Sequence, residues 1–313
     1  MDNVIVNRGK VFTLDSLPPY SIALDGCVQG PEVDPDNHRF SFDHHAKCLR
    51  YCTTSACMQA WTAVLLGLED LEKYTIYCND VDADVCAAVW CLKNAERCKE
   101  PLVKKLIDAI GLGDMHGGAF GYNGMSKVVE WICEPETSSK RHDDYHKISD
   151  DGLKSILEAV LYRIDSYVDG ESGIEVSKQA KHGEYKILRN ENNWVLVESQ
   201  DPHAFSAVYQ AGFTRIVLVR SQSDGSLAVS IAKKSDFVGK FPLRSFFTLL
   251  TAKEKAIQEK MNETRDANHK LDGAWGGGST IGGAPRNHDG SRSWLSIPNI
   301  IETIDEGIRL ENA

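Results

Sequence analysis

From about Val4 to Trp131, short apolar runs of β type alternate with stretches whose apolar residues recur at helical spacing. Ser21–Leu24, Arg39–Phe42 and Tyr74–Cys78 read as buried strands, and Thr54–Leu66, Asp84–Asn94 and Pro101–Ile110 as helices. That alternation predicts a parallel sheet flanked by helices. The polar stretch Glu134–Asp151 reads as a linker or exposed loop. Asp151–Val168 then places Leu153, Ile156, Leu157, Val160, Leu161 and Ile164 on one stripe and predicts an amphipathic helix. After Gly170–Gly173 the pattern changes to strands at Tyr185–Leu188, Trp194–Glu198, Arg215–Arg220 and Leu227–Ala232, with a helix near Pro242–Leu250. The expected class is α/β. A parallel-sheet N-terminal domain with flanking helices spans 1–150, a connector helix and linker 151–175, and a smaller α/β C-terminal domain 176–313.

A chain of 313 residues can bury two ordinary cores, and its 42% hydrophobic and 26% charged content is that of a globular protein. No apolar run approaches the length that crosses a bilayer, and the first twenty residues lack a signal-peptide pattern, so a cytoplasmic protein is expected. Nine cysteines cannot all pair with one another, and most are expected to be reduced, half-buried small apolar residues. Charge is uneven: residues 1–175 hold 17 Lys and Arg against 29 Asp and Glu, a balance of −12, whereas residues 176–313 hold 18 against 16, a balance of +2. An acidic half is a poor surface for a long polyanion and a good one for cations.

The acidic residues of that half fall at the ends of apolar runs. Asp25 follows Ser21–Leu24, and Asp43-His44-His45 follows Phe40-Ser41-Phe42. Asp80, Asp82 and Asp84 follow Tyr74–Tyr77, and Asp114 follows Leu106–Leu112. In a parallel α/β sheet the carboxyl ends of the strands share one edge, where ligands bind. Carboxylates gathered there repel unless cations lie between them. A lone Asp-x-Asp is a weak signal; Asp82-x-Asp84 together with Asp-His-His and two more such aspartates is a stronger one. Oxygen-rich ligands with one or two imidazoles suit Mn²⁺ or Mg²⁺. Two such ions form an arrangement for in-line attack on phosphorus.

These residues resemble the DHH phosphoesterase superfamily, which includes RecJ-type exonucleases, short-oligonucleotide hydrolases, cyclic-dinucleotide phosphodiesterases and family II inorganic pyrophosphatases. Asp43-His44-His45 matches the naming motif, and Asp25 resembles the bridging aspartate. Cys78–Asp84 looks like the His-x-x-x-Asp-x-Asp motif, and Gly113–Phe120 resembles the last motif, an aspartate followed by a glycine turn and Phe. Trp275–Arg286 looks like the glycine-rich substrate motif of the associated second domain. There are two departures from the family pattern. Asp-x-Asp follows Asp-His-His here rather than preceding it, and Cys78 stands where the family has a histidine, so that Cys78 or Asp80 would supply the missing ligand.

The resemblance implies two metal ions, with Asp25 bridging, Asp82 on one ion, and Asp84, His44 and Asp114 on the other. It implies that His45 donates to the scissile phosphate and that Asp43 orients the imidazoles. Gly276, Gly277 and Gly278 would let backbone amides approach a phosphate or base, with Arg286 and His288 beside them. On composition alone, a flexible loop is the better account of those glycines. His116 is open between the site and the surface, and Trp275 between base stacking and a core anchor. The implied activity is metal-dependent hydrolysis of phosphodiester bonds in a short oligonucleotide or a cyclic or linear dinucleotide, with long nucleic acid and membrane disfavoured as partners and a homodimer left open. The alternatives are a non-catalytic nucleotide-binding protein on a degenerate site, and hydrolysis of pyrophosphate or a phosphomonoester.

Overall fold

Five short strands build the sheet of the first unit: β1 (Val4–Val6), β2 (Ser21–Leu24), β3 (Glu32–Asp34), β4 (Arg39–Phe42) and β5 (Thr75–Cys78). Their order is β1-β5-β2-β4-β3, parallel throughout except for β3, which runs antiparallel to β4. The central strand β2 is buried along its whole length, as a strand covered on both faces must be. The computed structural model describes residues 3–120, 124–141, 147–174, 183–262, 273–287 and 290–311. They fall into two units, Met1–Lys181 and His182–Ala313. Among the described residues no helix is long and apolar enough to cross a membrane.

Among the described residues six α-helices accompany this sheet: α1 (Ala56–Leu65), α2 (Ala83–Lys93), α3 (Pro101–His116), α4 (Ser126–Ile132), α5 (Glu134–Arg141) and α6 (Asp150–Val168). Small side chains set the packing. Ala56, Cys57 and Ala60 of α1 share one core with Cys86, Ala87 and Ala88 of α2, and β-carbons that short let two helix backbones come close. The nine cysteines are all free thiols, and seven of them are buried.

Three expectations change. Glu134–Asp151 is not simply a linker, because Glu134–Arg141 is helical. Pro135 near its start, acids in its first turn and the Glu136–Lys140 pair at 2.5 Å favour a helix despite the polar composition. Helix α6, expected as a connector, packs Leu153, Leu157, Val160 and Ile164 into the core of the first unit. Trp90 Nε1 of α2 donates to Asp165 Oδ1 of α6 at 2.7 Å. Finally, Asp114 does not follow a strand. It lies in the last turn of α3, which continues through Gly111 and Gly113 to His116. A β-carbon at Gly111 would lie 2.5 Å from Met58 Cγ and 2.8 Å from Ser55 Oγ, so this glycine admits α3 to the start of α1.

The second unit has a six-stranded sheet ordered β10-β11-β9-β8-β7-β6. Its strands are β6 (Lys186–Glu191), β7 (Trp194–Glu198), β8 (Arg215–Ser221), β9 (Leu227–Lys233), β10 (Gly276–Gly277) and β11 (Ile281–Gly283). Only the β7–β8 pair is parallel. Helices α7 (Ala204–Gln210), α8 (Leu243–Asn262) and α9 (Ile297–Glu311) complete it. Its core joins Trp194, Leu196, Val217 and Ile231 to Phe246 and Leu250 of α8 and to Ile300 and Ile304 of α9. The protein is thus mixed α/β, with one parallel-rich sheet and a second, largely antiparallel one.

Candidate metal centre

Register brings the first acids together. Leu24 of β2 pairs with Phe42 of β4, and the Asp25 amide donates to the Phe42 carbonyl at 2.9 Å, so Asp25 and Asp43 emerge side by side from the carboxyl edge of the sheet. Asp25 does so with φ at +44°, a conformation that a non-glycine residue adopts at some strain. Asp43 is fully buried. Its Oδ2 accepts the Gly30 amide at 2.6 Å, and its Oδ1 accepts the His45 amide at 3.1 Å and lies 3.0 Å from His45 Nδ1. Gly30 makes this possible at φ +94°, with no room for a β-carbon against the Ala46 carbonyl 2.9 Å away. Gln59 Nε2 donates to the Asp43 carbonyl at 2.9 Å and fixes the turn from the α1 side.

His44 is wholly buried. Its Nε2 lies 2.7 Å from Asp114 Oδ2 and 3.5 Å from Asp25 Oδ1, while His45 Nδ1 lies 3.2 Å from Asp25 Oδ1. Two sets of ligand atoms each fall within 4.8 Å of one another: Asp25, His44 and His45, and His44, Asp84 and Asp114. Both His44 nitrogens, Asp25 Oδ1 and Asp114 Oδ2 are buried without a hydrogen bond of acceptable geometry. Polar atoms so close together, desolvated and unsatisfied form a donor set that a divalent cation completes. The residues present therefore fit a metal ion.

Asp84 is placed by helix chemistry. It lies in the first turn of α2, where its Oδ2 and Oδ1 accept the Ala56 and Cys57 amides of α1 at 2.7 and 3.1 Å. Ser55, the residue before α1, makes no side-chain cap, so Asp84 caps that helix from across the core. Asp82 is the N-cap of α2, accepting the Val85 amide at 2.9 Å. Asp82, Asp80 and Cys78 lie outside both ligand sets. Asp80 Oδ1 accepts the Val81 amide, and Cys78 is fully buried.

Protonation follows from this crowding. Burial opposes charge on His44, but Asp114 and Asp25 outweigh it and raise the imidazole to about 9. His45 rises to about 10 through its bonds to Asp25 and Asp43. Burial works against Asp25 as well, yet the two imidazoles hold it well below the usual carboxylate range. Desolvation, aided by the charges of Asp114 and Asp25, pushes Asp84 up to about 6. Asp82 rises well above the ordinary range through desolvation and the charges of Asp25, Asp84 and Asp114. Burial, with Cys27, Asp82 and Asp25 nearby, holds the Cys78 thiol well above its usual value. Without a cation the cluster thus keeps protons on two imidazoles and on part of its carboxylates.

The glycine-rich segment forms the edge hairpin of the second unit. Gly276 pairs with Gly283 and Gly277 with Gly282. A β-carbon at Gly277 would lie 2.2 Å from Gly282 Cα, and one at Gly282 would lie 2.3 Å from Phe247 Cζ. These two glycines serve close strand and helix packing, while Gly276 and Gly278 have more open surroundings and Arg286 is exposed. Trp275 is buried, with its Nε1 donating to Glu254 Oε2 at 3.0 Å, which makes it a core anchor. His288 lies outside the described residues. The sequence offered no signal for Gly30 or Gln59, whose roles depend on a turn and a helix meeting in space.

No family model matches the chain, and no curated protein matches it as a relative. Among solved structures, a pGpG-specific phosphodiesterase, PggH from Vibrio cholrae, is similar at 10% identity and a TM-score of 0.37, over 87% of this chain and 79% of that one. A likeness that slight establishes neither fold nor activity.

Proposed function

We propose that the first unit is the catalytic domain of a metal-dependent phosphoesterase of the DHH type. Its substrate would be a phosphodiester bond in a short oligonucleotide or a cyclic or linear dinucleotide. The observation that carries this reading is the buried, unsatisfied His44, set against Asp114 at 2.7 Å and sharing two overlapping ligand sets with Asp25, His45 and Asp84. In this reading His44, Asp84 and Asp114 would hold one ion, and Asp25 with Asp82 would hold a second. Mn²⁺ or Mg²⁺ in that place supplies charge stabilisation for the phosphoryl group and a nucleophilic water at neutral pH. His45, whose Nδ1 is engaged by Asp43 and Asp25, keeps Nε2 for donation to a phosphoryl oxygen. Asp43, fastened by the Gly30 and His45 amides, acts through His45 as its positioning residue. For the second unit, taken by itself, the same reading gives the Gly276–Gly278 backbone and Arg286 a phosphate- or base-binding role.

The test is Mn²⁺-dependent hydrolysis of a linear dinucleotide, cyclic dinucleotides, a five-residue oligonucleotide and pyrophosphate, by the wild type and by His44→Ala. Turnover of a phosphodiester that falls by at least about 10²-fold in a folded His44→Ala protein is expected. Turnover of pyrophosphate alone would move the substrate class, and activity retained in the variant would refute the metal assignment.

A further inference from the structure

Seven of the nine cysteines are buried, and the two that are not, Cys48 and Cys52, lie four residues apart between Asp43-His44-His45 and α1. Cysteine is among the residue types most often buried, so two accessible thiols on one short segment stand out. The backbone draws them together. The Cys52 and Thr53 amides both close on the Leu49 carbonyl at 2.9 Å, a single helical turn that Cys48 enters and Cys52 leaves. Cys52 Sγ donates to the same carbonyl at 3.4 Å, so its thiol is folded back onto the residue that follows Cys48. Lys47, at φ +52°, bends the chain immediately before this turn.

The turn is strung between two clamps, and both grip Asp43. At its start the chain is packed on Gly30: a β-carbon there would lie 2.9 Å from the Ala46 carbonyl and 3.0 Å from Lys47 Cβ. The amide of that same glycine donates to Asp43 Oδ2. At its end, Gln59 Nε2 donates to the Thr54 carbonyl at 2.6 Å and to the Asp43 carbonyl at 2.9 Å. Residues 48–53 thus join two points that are each tied to the aspartate positioning His45. Close-packed contacts transmit strain, so a change in the span of this turn reaches Asp43 from both sides.

We infer that Cys48 and Cys52 are an oxidisable dithiol, and that their disulfide weakens the candidate metal centre through Asp43. The oxidant is a low-molecular-weight disulfide, RSSR. One cysteine thiolate attacks a sulfur of RSSR and expels RS⁻, leaving a mixed disulfide; the second thiolate then attacks the protein sulfur of that bond and expels the other RS⁻. The two expelled thiolates take up the protons that the cysteines gave up. The pair is oxidised by two electrons, and RSSR is reduced to two RSH. The seven buried thiols lie out of reach and stay reduced. Oxidation removes the thiol proton that Cys52 gives to the Leu49 carbonyl, and it draws the two Cα atoms to the roughly 4.4–6.8 Å that a disulfide demands. Both changes tighten the turn between its clamps.

The experiment treats the full chain with oxidised glutathione in EDTA and removes both. Free thiols are then counted, tryptic peptides mapped, and Mn²⁺ affinity measured before and after reduction with dithiothreitol. Two of the nine thiols should be lost. Trypsin cuts between them at Arg50, so the two pieces should stay joined through Cys48 and Cys52. Mn²⁺ affinity should fall about three- to tenfold and recover on reduction. Cys48→Ser and Cys52→Ser should each bind Mn²⁺ like the reduced wild type and lose the response to glutathione. Separate glutathione adducts on the two cysteines, with no joined peptides, would overturn the dithiol. Joined peptides with Mn²⁺ affinity unmoved would overturn its action through Asp43 and leave the metal centre standing. Absence of Mn²⁺ binding to the reduced wild type would overturn the metal centre itself and that action with it.

Discussion

Asp84 is asked to do two things that conflict when no cation is present, and Asp84→Asn separates them. As a carboxylate it caps α1 through the Ala56 and Cys57 amides and belongs to the ligand set with His44 and Asp114. Its pKa stands at about 6 against an ordinary 3.8, because desolvation and the charges of Asp114 and Asp25 disfavour ionisation. At about 1.4 kcal/mol per tenfold, holding this group ionised costs the metal-free fold about 3 kcal/mol at pH 7.5. A raised folded-state value means that the associated stability is complete below the unfolded value and is lost as pH rises through the folded one. The penalty therefore shrinks to about 1 kcal/mol at pH 4.5. Asparagine removes that penalty but accepts from only one of the two amides through its single oxygen, a loss of about 1–2 kcal/mol. In EDTA the variant should then be more stable than the wild type by about 1–2 kcal/mol at pH 7.5, and equal or less stable at pH 4.5. Urea unfolding at both pH values reads this crossover directly. With Mn²⁺ at pH 7.5 the order should reverse, since the wild type gains about 2.7 kcal/mol at a hundredfold excess over Kd and the variant much less. A variant destabilised by the same amount at both pH values, with or without Mn²⁺, would show that Asp84 is a helix cap alone and would refute the reasoning.

Mn²⁺ affinity of the wild type should rise about tenfold per pH unit between 7 and 9, because His44, raised to about 9, must shed its proton to become a ligand. Titration at fixed ionic strength measures this, and a flat profile would remove His44 from the ligand set. In metal-free protein the same imidazole, with His45 at about 10, contributes stability that is full below about 6.5 and is lost as pH climbs through 9 to 10. The urea midpoint in EDTA should fall across that window. Gly111→Val places side-chain atoms where even a β-carbon would be 2.5 Å from Met58 Cγ and 2.8 Å from Ser55 Oγ. It should destabilise by about 1–3 kcal/mol. By displacing the last turn of α3, which carries Asp114, it should also weaken Mn²⁺ binding; unaltered affinity would show that α3 does not need this close approach.

The acidic residues at strand ends were legible because the end of an apolar run marks where a buried strand reaches the edge of its sheet. This worked for Asp25 and Asp43-His44-His45, where register sets both side by side. It failed for Asp114, because the helix expected over Pro101–Ile110 continues to His116, Gly111 lacking the side chain that would hold α3 away from α1. The polar helix Glu134–Arg141 was missed for a related reason: its stability comes from end charges, an internal ion pair and Arg163 of α6 rather than from an apolar stripe. Helix α9, with the buried Ile300 and Ile304, went unread although its periodicity was present.

What this chain determines by composition and pattern is local: an acidic first half, a strand–helix alternation that forces a parallel sheet, and carboxylates and imidazoles stationed at its edge. Those follow from short-range rules of periodicity and burial. The tertiary structure alone decides that Asp84 spans to the amides of α1, that Gly30 and Gln59 lock Asp43, and that His44 ends buried between Asp25 and Asp114. Each of these contacts joins residues that are remote in sequence or turned toward one another by a strained backbone, and their energies depend on distances of a few ångströms that no local pattern encodes.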